Sequence, residues 1–240
     1  MKKRTIRKTI TIIIALVVVL TGGYFIEDNY FDKGISVKSI SIEGLDSIPE
    51  YSSYPYVYIG SGNSDLLETE EWSEGYESYT MDDLGRCSVA EAMVGEDTMP
   101  TDDREDISSV EPTGWNNKRY DSELVDGGWI YNRCHLIGYQ LTGENDNADN
   151  LITGTRYLNI EGMLPFENEV ADYVRDTGNH VMYQVTPIYE GDNQVVSGVV
   201  MEAESVEDNG EGIDFNVYCY NVQPGIEIDY NTGNNWLAEE

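Results

Sequence analysis

Val181, Tyr183 and Val185 alternate with polar positions, Gly191-Asp192-Asn193 makes a turn, and the chain returns through Val195 to Ala203. Ile213, Phe215, Val217 and Cys219 then share one face of a further strand. Apolar residues at every second position set one side of an extended segment against a core. Strands that follow one another through turns form an antiparallel sheet. Helical signals sit in the middle of the chain. A helix is predicted from about Thr155, broken near Gly162. Pro165 stands where a second helix would start and Gly178 where it would end, with Val170, Tyr173 and Val174 as its apolar stripe. Tyr54, Tyr56 and Tyr58 mark an early strand, and Gly128 to Ile137 another. Residues 96–127 and 142–150, rich in Asp, Gly and Asn, read as loops. The fold class is α+β, with a central antiparallel sheet and flanking helices.

The charge is uneven. Of 14 Lys and Arg, five precede residue 9, and the first acid is Glu27, so the balance from there onward is 9 − 45 = −36. An acidic surface of that size argues against passive binding of polyanions, which needs a basic face. The basic start followed by the apolar run Ile10 to Leu20 reads as an export signal over residues 1–26. If it is not cleaved, the stretch from Thr9 to Ile26, 18 residues long, is near the ~20 that span a bilayer and would attach the chain to the membrane. Residues 27–50 read as a connector and 51–240 as the working domain. That domain is placed outside the cell, secreted or anchored to the outer face of the cytoplasmic membrane. Three cysteines exclude a four-cysteine zinc site, and two histidines exclude a histidine-rich cluster. Disulfides Cys87–Cys134 and Cys87–Cys219 are both open.

The chemistry concentrates in Tyr131-Asn-Arg-Cys-His-Leu-Ile137. On a strand Arg133 and His135 project together and Cys134 points the other way. A Cys134–His135 nucleophile pair is therefore disfavoured, because adjacent strand side chains diverge. Histidine can take a proton from water, and an arginine fork can hold a phosphate. Downstream, Asn150 closes a polar loop and Asn159 falls within the predicted helix, on the same face as Arg156. Glu167 lies near the start of the second helix. An asparagine oxygen is a neutral, hard ligand suited to Mg²⁺, which keeps several waters and needs few protein contacts. His180 reads as structural.

Asn132-Arg133-Cys134-His135, then Asn150, Asn159 and Glu167, resembles the DNA/RNA non-specific endonuclease family, whose usual motif reads Asp-Arg-Gly-His with two asparagines nine apart. Gly85-Arg86-Cys87, Met99-Pro100-Thr101, Pro112-Thr113-Gly114-Trp115, Gly162-Met-Leu-Pro-Phe-Glu167 and Asn221-Val-Gln-Pro-Gly225 extend the similarity to an exported Gram-positive branch over residues 50–236. The resemblance implies the ββα-metal (His-Me finger) nuclease fold. It implies His135 as general base, Asn159 as the metal ligand and Asn150 as a brace of loop and site. Arg133 would stabilise charge on the phosphate, Arg156 would help bind substrate, and Glu167 would hold metal-bound water. The cofactor implied is Mg²⁺, with Mn²⁺ as a substitute. The substrate implied is DNA and also RNA, cut to leave a 5′-phosphate; no protein partner is inferred. Asn132 and Cys134 depart from the motif's acid and glycine. The acidic surface requires a narrow electropositive slot, for which Lys118, Arg119, Arg133, Arg156 and Arg175 are the candidates. The competing expectation is a catalytically silent, acidic cell-surface binding domain on the same scaffold.

Overall fold

The computed structural model describes residues 48–239. The segment read as an export signal or anchor, and the connector up to residue 47, lie outside these residues.

Six strands form the central sheet: β1 (Tyr56–Tyr58), β2 (Glu77–Met81), β3 (Cys87–Val94), β6 (Val181–Ile188), β7 (Gly198–Ser205) and β8 (Asp214–Tyr220). Their order is β1-β8-β7-β6-β3-β2, with every neighbour antiparallel. The alternation that marked β8 is visible in the packing. Phe215, Val217 and Cys219 enter the main core, while Tyr218 and Tyr220 join a smaller cluster with Val57 and Val200. One long helix, Leu164–Thr177, which we call α3 after two short ones (α1, Leu66–Thr69; α2, Tyr139–Thr142), covers the main core face. It buries Phe166, Val170, Ala171 and Val174. Burying a valine or phenylalanine side chain contributes roughly 1.5–3 kcal/mol, so this stripe holds the helix in place. Pro165 lies in its first turn, and Gly178 ends it at φ +71°, its N–H donating to Val174 O at 2.8 Å. Both boundaries agree with the sequence reading.

Residues 151–155 form a strand that the sequence pattern does not reveal, β5 (Leu151–Thr155), and the helical region follows at Arg156, in line with the start expected at about Thr155. All five residues of β5 are buried, so the period-two signal that reveals a half-exposed strand is absent. One expectation needs correction: the break near Gly162 does not occur. A π-helical turn, Leu158–Met163, runs directly into α3. Gly162 serves close packing there: a Cβ would stand 3.3 Å from Cys219 Cβ.

β5 pairs with β4 (Tyr131–His135) in a separate antiparallel hairpin, register Cys134↔Ile152 and His135↔Leu151. Asn221 fastens this hairpin to the central sheet. Its amide donates to Thr153 O (3.1 Å) and Val196 O (2.9 Å), and its oxygen accepts from Thr155 N at 2.8 Å. Hairpin and α3 together make the expected ββα unit. A last hairpin, β9 (Ile226–Asp229) with β10 (Asn234–Leu237), takes a hydrogen bond from the Tyr131 hydroxyl at Gly233 O, 3.0 Å. Cys87, Cys134 and Cys219 are all buried and free, so neither disulfide forms. Among the described residues no helix is long and apolar enough to cross a membrane.

Candidate active site

The ββα unit and the long loops before β4 enclose a cavity of about 1110 Å³. His135, at the end of β4, is 6% exposed. Its Nε2 lies 2.8 Å from the Asn145 carbonyl. A carbonyl can only accept, so Nε2 carries the proton and Nδ1 is left with its lone pair. That lone pair faces the Arg104 guanidinium, with Nη2 at 3.4 Å. Burial, then the Arg104 charge, push the imidazole down to about 4, against the opposing pull of the Asn145 carbonyl. His135 is therefore neutral near pH 7, with a defined basic nitrogen.

The two asparagines have different jobs. Asn150 is fully buried at the end of a 3-10 turn, Ala148–Asn150. Its oxygen accepts from Ile137 N at 2.9 Å and its amide donates to Ile137 O at 3.0 Å, pinning the chain two residues after His135. It does not line the cavity. Asn159, in the π-helical turn, does. The buried Cys134 thiol donates to Asn159 Oδ1 at 3.1 Å, on the side of β4 away from Arg133. Gly154 leaves room for this cysteine, since a Cβ at 154 would meet Cys134 Cβ at 2.6 Å.

Glu167, in the first turn of α3, also faces the cavity and is 8% exposed. Burial raises its carboxyl to about 7, and Arg104 works in the opposite direction. Among the described residues no three His, Cys, Asp or Glu side chains cluster to hold a metal. Beside His135 the ββα unit offers the neutral amide of Asn159 and the carboxyl of Glu167, in a wide cavity with no thiolate or imidazole cluster among the described residues. That donor set fits a hard divalent cation that keeps most of its waters, and does not fit a closed thiolate or imidazole centre.

The carboxyl of Glu167 rests against Gly138, which has φ −59° and ψ 142°, a conformation open to any residue. A Cβ at 138 would nevertheless stand 2.7 Å from Glu167 Oε2. Gly138→Ala is thus expected to displace the carboxyl without straining the backbone. Misplacement of about 1 Å at such a site can cost on the order of 10²-fold in rate. The check is a double-mutant cycle: in a Glu167→Ala background, Gly138→Ala should cost nothing further. An equal loss in both backgrounds would show that Glu167 is not what Gly138 accommodates.

The scarce cations converge here. Of seven Lys and Arg among the described residues, Arg104, Lys118, Arg133 and Arg156 line the cavity. Arg119 stands over the ring of Trp129, another lining residue, at 5.5 Å. Arg86 pairs with Asp82; Arg175 pairs with Asp172 on α3 and does not line the cavity, so it is not part of the expected slot. Arg133 lines the wall with part of its fork already engaged. It donates to Ser108 O at 2.8 Å and to Val110 O, and lies 4.4 Å over the Trp115 ring. Arg156 pairs with Asp126 at 2.7 Å at the rim. His180 stands apart, its Nδ1 2.6 Å from Glu207, with a raised pKa caused first by that hydrogen bond.

Arg104 escaped the sequence reading because it sits inside Asp102–Asp106, a run read as solvated loop. Its single positive charge among four acids was the available signal. Tertiary folding alone lays it beside His135.

Residues 67–207 match the DNA/RNA non-specific endonuclease family. Among solved structures, NucA from Streptococcus agalactiae with a magnesium ion bound is 28% identical, over 73% of this chain and 84% of that one, with a TM-score of 0.65. The same nuclease with no metal bound is 24% identical over 87% and 96%, TM-score 0.70. Sda1 nuclease with bound zinc ion is 25% identical over 78% and 91%, TM-score 0.59.

Proposed function

The chain belongs to the DNA/RNA non-specific endonuclease family and is a nuclease hydrolase, and from that premise we propose that it is an exported, Mg²⁺-dependent enzyme cutting phosphodiester bonds of DNA and RNA, with His135 as general base. One observation carries this reading. His135 keeps a neutral Nδ1 lone pair, fixed by Asn145 and facing Arg104, in the same cavity as Asn159 and Glu167.

Asn159 would hold the metal directly, and Glu167 would hold a water bound to it. When bound there, the ion would neutralise charge on the scissile phosphate and the leaving 3′ oxygen. His135 would accept the proton of the attacking water at Nδ1. Arg104, at 3.4 Å from that nitrogen, would draw the phosphate to the base and offset its charge. Lys118 and Arg156 would hold flanking phosphates. Arg133 would act first through the loop it ties at Ser108 and Val110, and only its remaining donors would face substrate. Mg²⁺ is preferred over zinc because the facing donors are oxygens, with Mn²⁺ the natural substitute. The basic and apolar N-terminus supports export, with the cleaved or anchored form left to the same segment.

The test incubates the purified protein with plasmid DNA and with RNA, in Mg²⁺ and in EDTA. Degradation of both in Mg²⁺, blocked by EDTA, is expected. Binding without degradation in Mg²⁺ or Mn²⁺ would favour the silent surface domain instead.

A further inference from the structure

One wall of the cavity carries a group that the phosphate chemistry leaves unused. Trp129 is 48% exposed and lines the cavity together with Lys118, Arg133 and Arg156. Its backbone is held firmly. Arg119 and Trp129 form an antiparallel bridge, Tyr120 N donates to Gly128 O at 2.8 Å, and Ile130 N donates to Lys118 O at 3.1 Å. Beneath the segment lie the buried side chains of Val125, Ile130 and Tyr131. The Arg119 guanidinium stands 5.5 Å from the indole centroid. Trp115, in the same cavity, differs: Arg133 lies 4.4 Å over its ring, and Tyr131 packs beside it at 6.4 Å.

A rigid, half-exposed indole among cations recognises a flat aromatic group carried on a phosphate chain. In nucleic acid that group is a base. Within a duplex both faces of a base are stacked on its neighbours, so only an unpaired base can lie on an indole. Charge adds a second argument. The domain of residues 51–240 carries 7 − 39 = −32 and repels distant phosphate, and its few cationic contacts weaken as salt releases counterions. Stacking releases no counterions and tolerates any base, which matches an enzyme without sequence preference.

Resting on the reading of this cavity as the nucleic-acid site, we propose that Trp129 is the platform of a nucleobase subsite, through which the enzyme engages single-stranded or locally unpaired nucleic acid in preference to duplex. Arg119, over the indole ring at 5.5 Å, steadies it. The subsite binds an aromatic face and leaves base edges unread.

The test uses the full chain carrying His135→Ala, in Mg²⁺, with labelled single-stranded oligonucleotides followed by fluorescence anisotropy. One strand is ordinary. A second has the same length and phosphates but abasic sugars throughout. The ordinary strand is expected to bind roughly 5- to 100-fold tighter than the abasic one, the range for stacking of a single base. Adding Trp129→Ala should bring the two strands to equal affinity, and Trp129→Phe should keep part of the difference. The gap should persist as salt is raised. Binding of both strands that falls with Arg104→Ala, with no gap between ordinary and abasic strands, would overturn the subsite while leaving the nuclease reading intact. A gap that Trp129→Ala leaves unchanged would overturn Trp129 as the platform. Absence of binding by either strand would overturn both readings.

Discussion

His135→Ala is expected to lose on the order of 10²–10⁴ in the rate of phosphodiester cleavage, the range for removing a positioned general base. The loss should be largely in kcat, because His135 is 6% exposed and its basic nitrogen meets the reacting water more than the bound strand. Circular dichroism should still show the native fold. The acid side of the pH profile tests the same residue. Burial and Arg104 lower His135 to about 4, so it stays neutral from physiological pH down to that value. Deprotonation of His135 should therefore set no limb near pH 6.5. Glu167, raised to about 7, gives the opposite pattern. Its carboxylate form is favoured by a bound cation, so the limb it causes should move to lower pH as Mg²⁺ is raised. Stability carries a matching sign. A histidine of ordinary pKa in the unfolded chain and about 4 when folded leaves the unfolded state with more bound protons between those values, so its contribution is lost as pH falls through that window. His135→Ala should flatten that decline, measured by thermal melts across pH 4–7. Wild-type activity in His135→Ala, with activity lost in His180→Ala, would remove the assignment.

The second large effect separates the two asparagines. Asn159→Ala is expected to weaken Mg²⁺ binding strongly, read by calorimetry and by the Mg²⁺ dependence of rate, with little change in melting temperature. Asn150→Ala should do the reverse. Its side chain is fully buried and supplies both partners of Ile137, whose N–H and C=O would be left unpaired. Each buried group left unsatisfied costs about 1–3 kcal/mol, and in a chain of this size each kcal/mol lowers the melting temperature by roughly 2–4 °C. Activity of Asn150→Ala should fall because the segment behind His135 loosens, and should recover in part at lower temperature. If the two variants show the same Mg²⁺ dependence as wild type, Asn159 is not the ligand.

Much of this was legible in residue order alone. Alternating apolar positions marked β6 and β8, because a half-buried strand must repeat every second residue. Pro165 and Gly178 marked the ends of α3, because one lacks an N–H and the other tolerates φ +71°. Placing Cys134 opposite Arg133 and His135 needed only the pleat of a strand, and the thiol does lie on the far side, against Asn159. The strand β5 was invisible for a physical reason as well. Leu-Ile-Thr-Gly-Thr is covered on both faces, and a segment buried all round has no period to read.

The candidate site divides along the same line. The residue types that can abstract a proton, meet a hard cation and meet phosphate are local chemistry, so His135, Asn159, Glu167 and Arg156 stood out from the sequence and share one cavity. Where the charge goes is not local. Coulomb interactions act through space, and nothing in the order of residues says that Arg104, set among acids, lies 3.4 Å from His135, or that Arg175 pairs away on α3. The same holds for proton affinity, which follows burial and neighbours that only the packed chain supplies. The sequence by itself determined the antiparallel α+β frame and the set of reactive side chains. The tertiary structure decided which cations meet at the cavity, which nitrogen of His135 is basic, and which asparagine braces while the other faces the cavity, because each of these depends on distances between segments far apart in the chain.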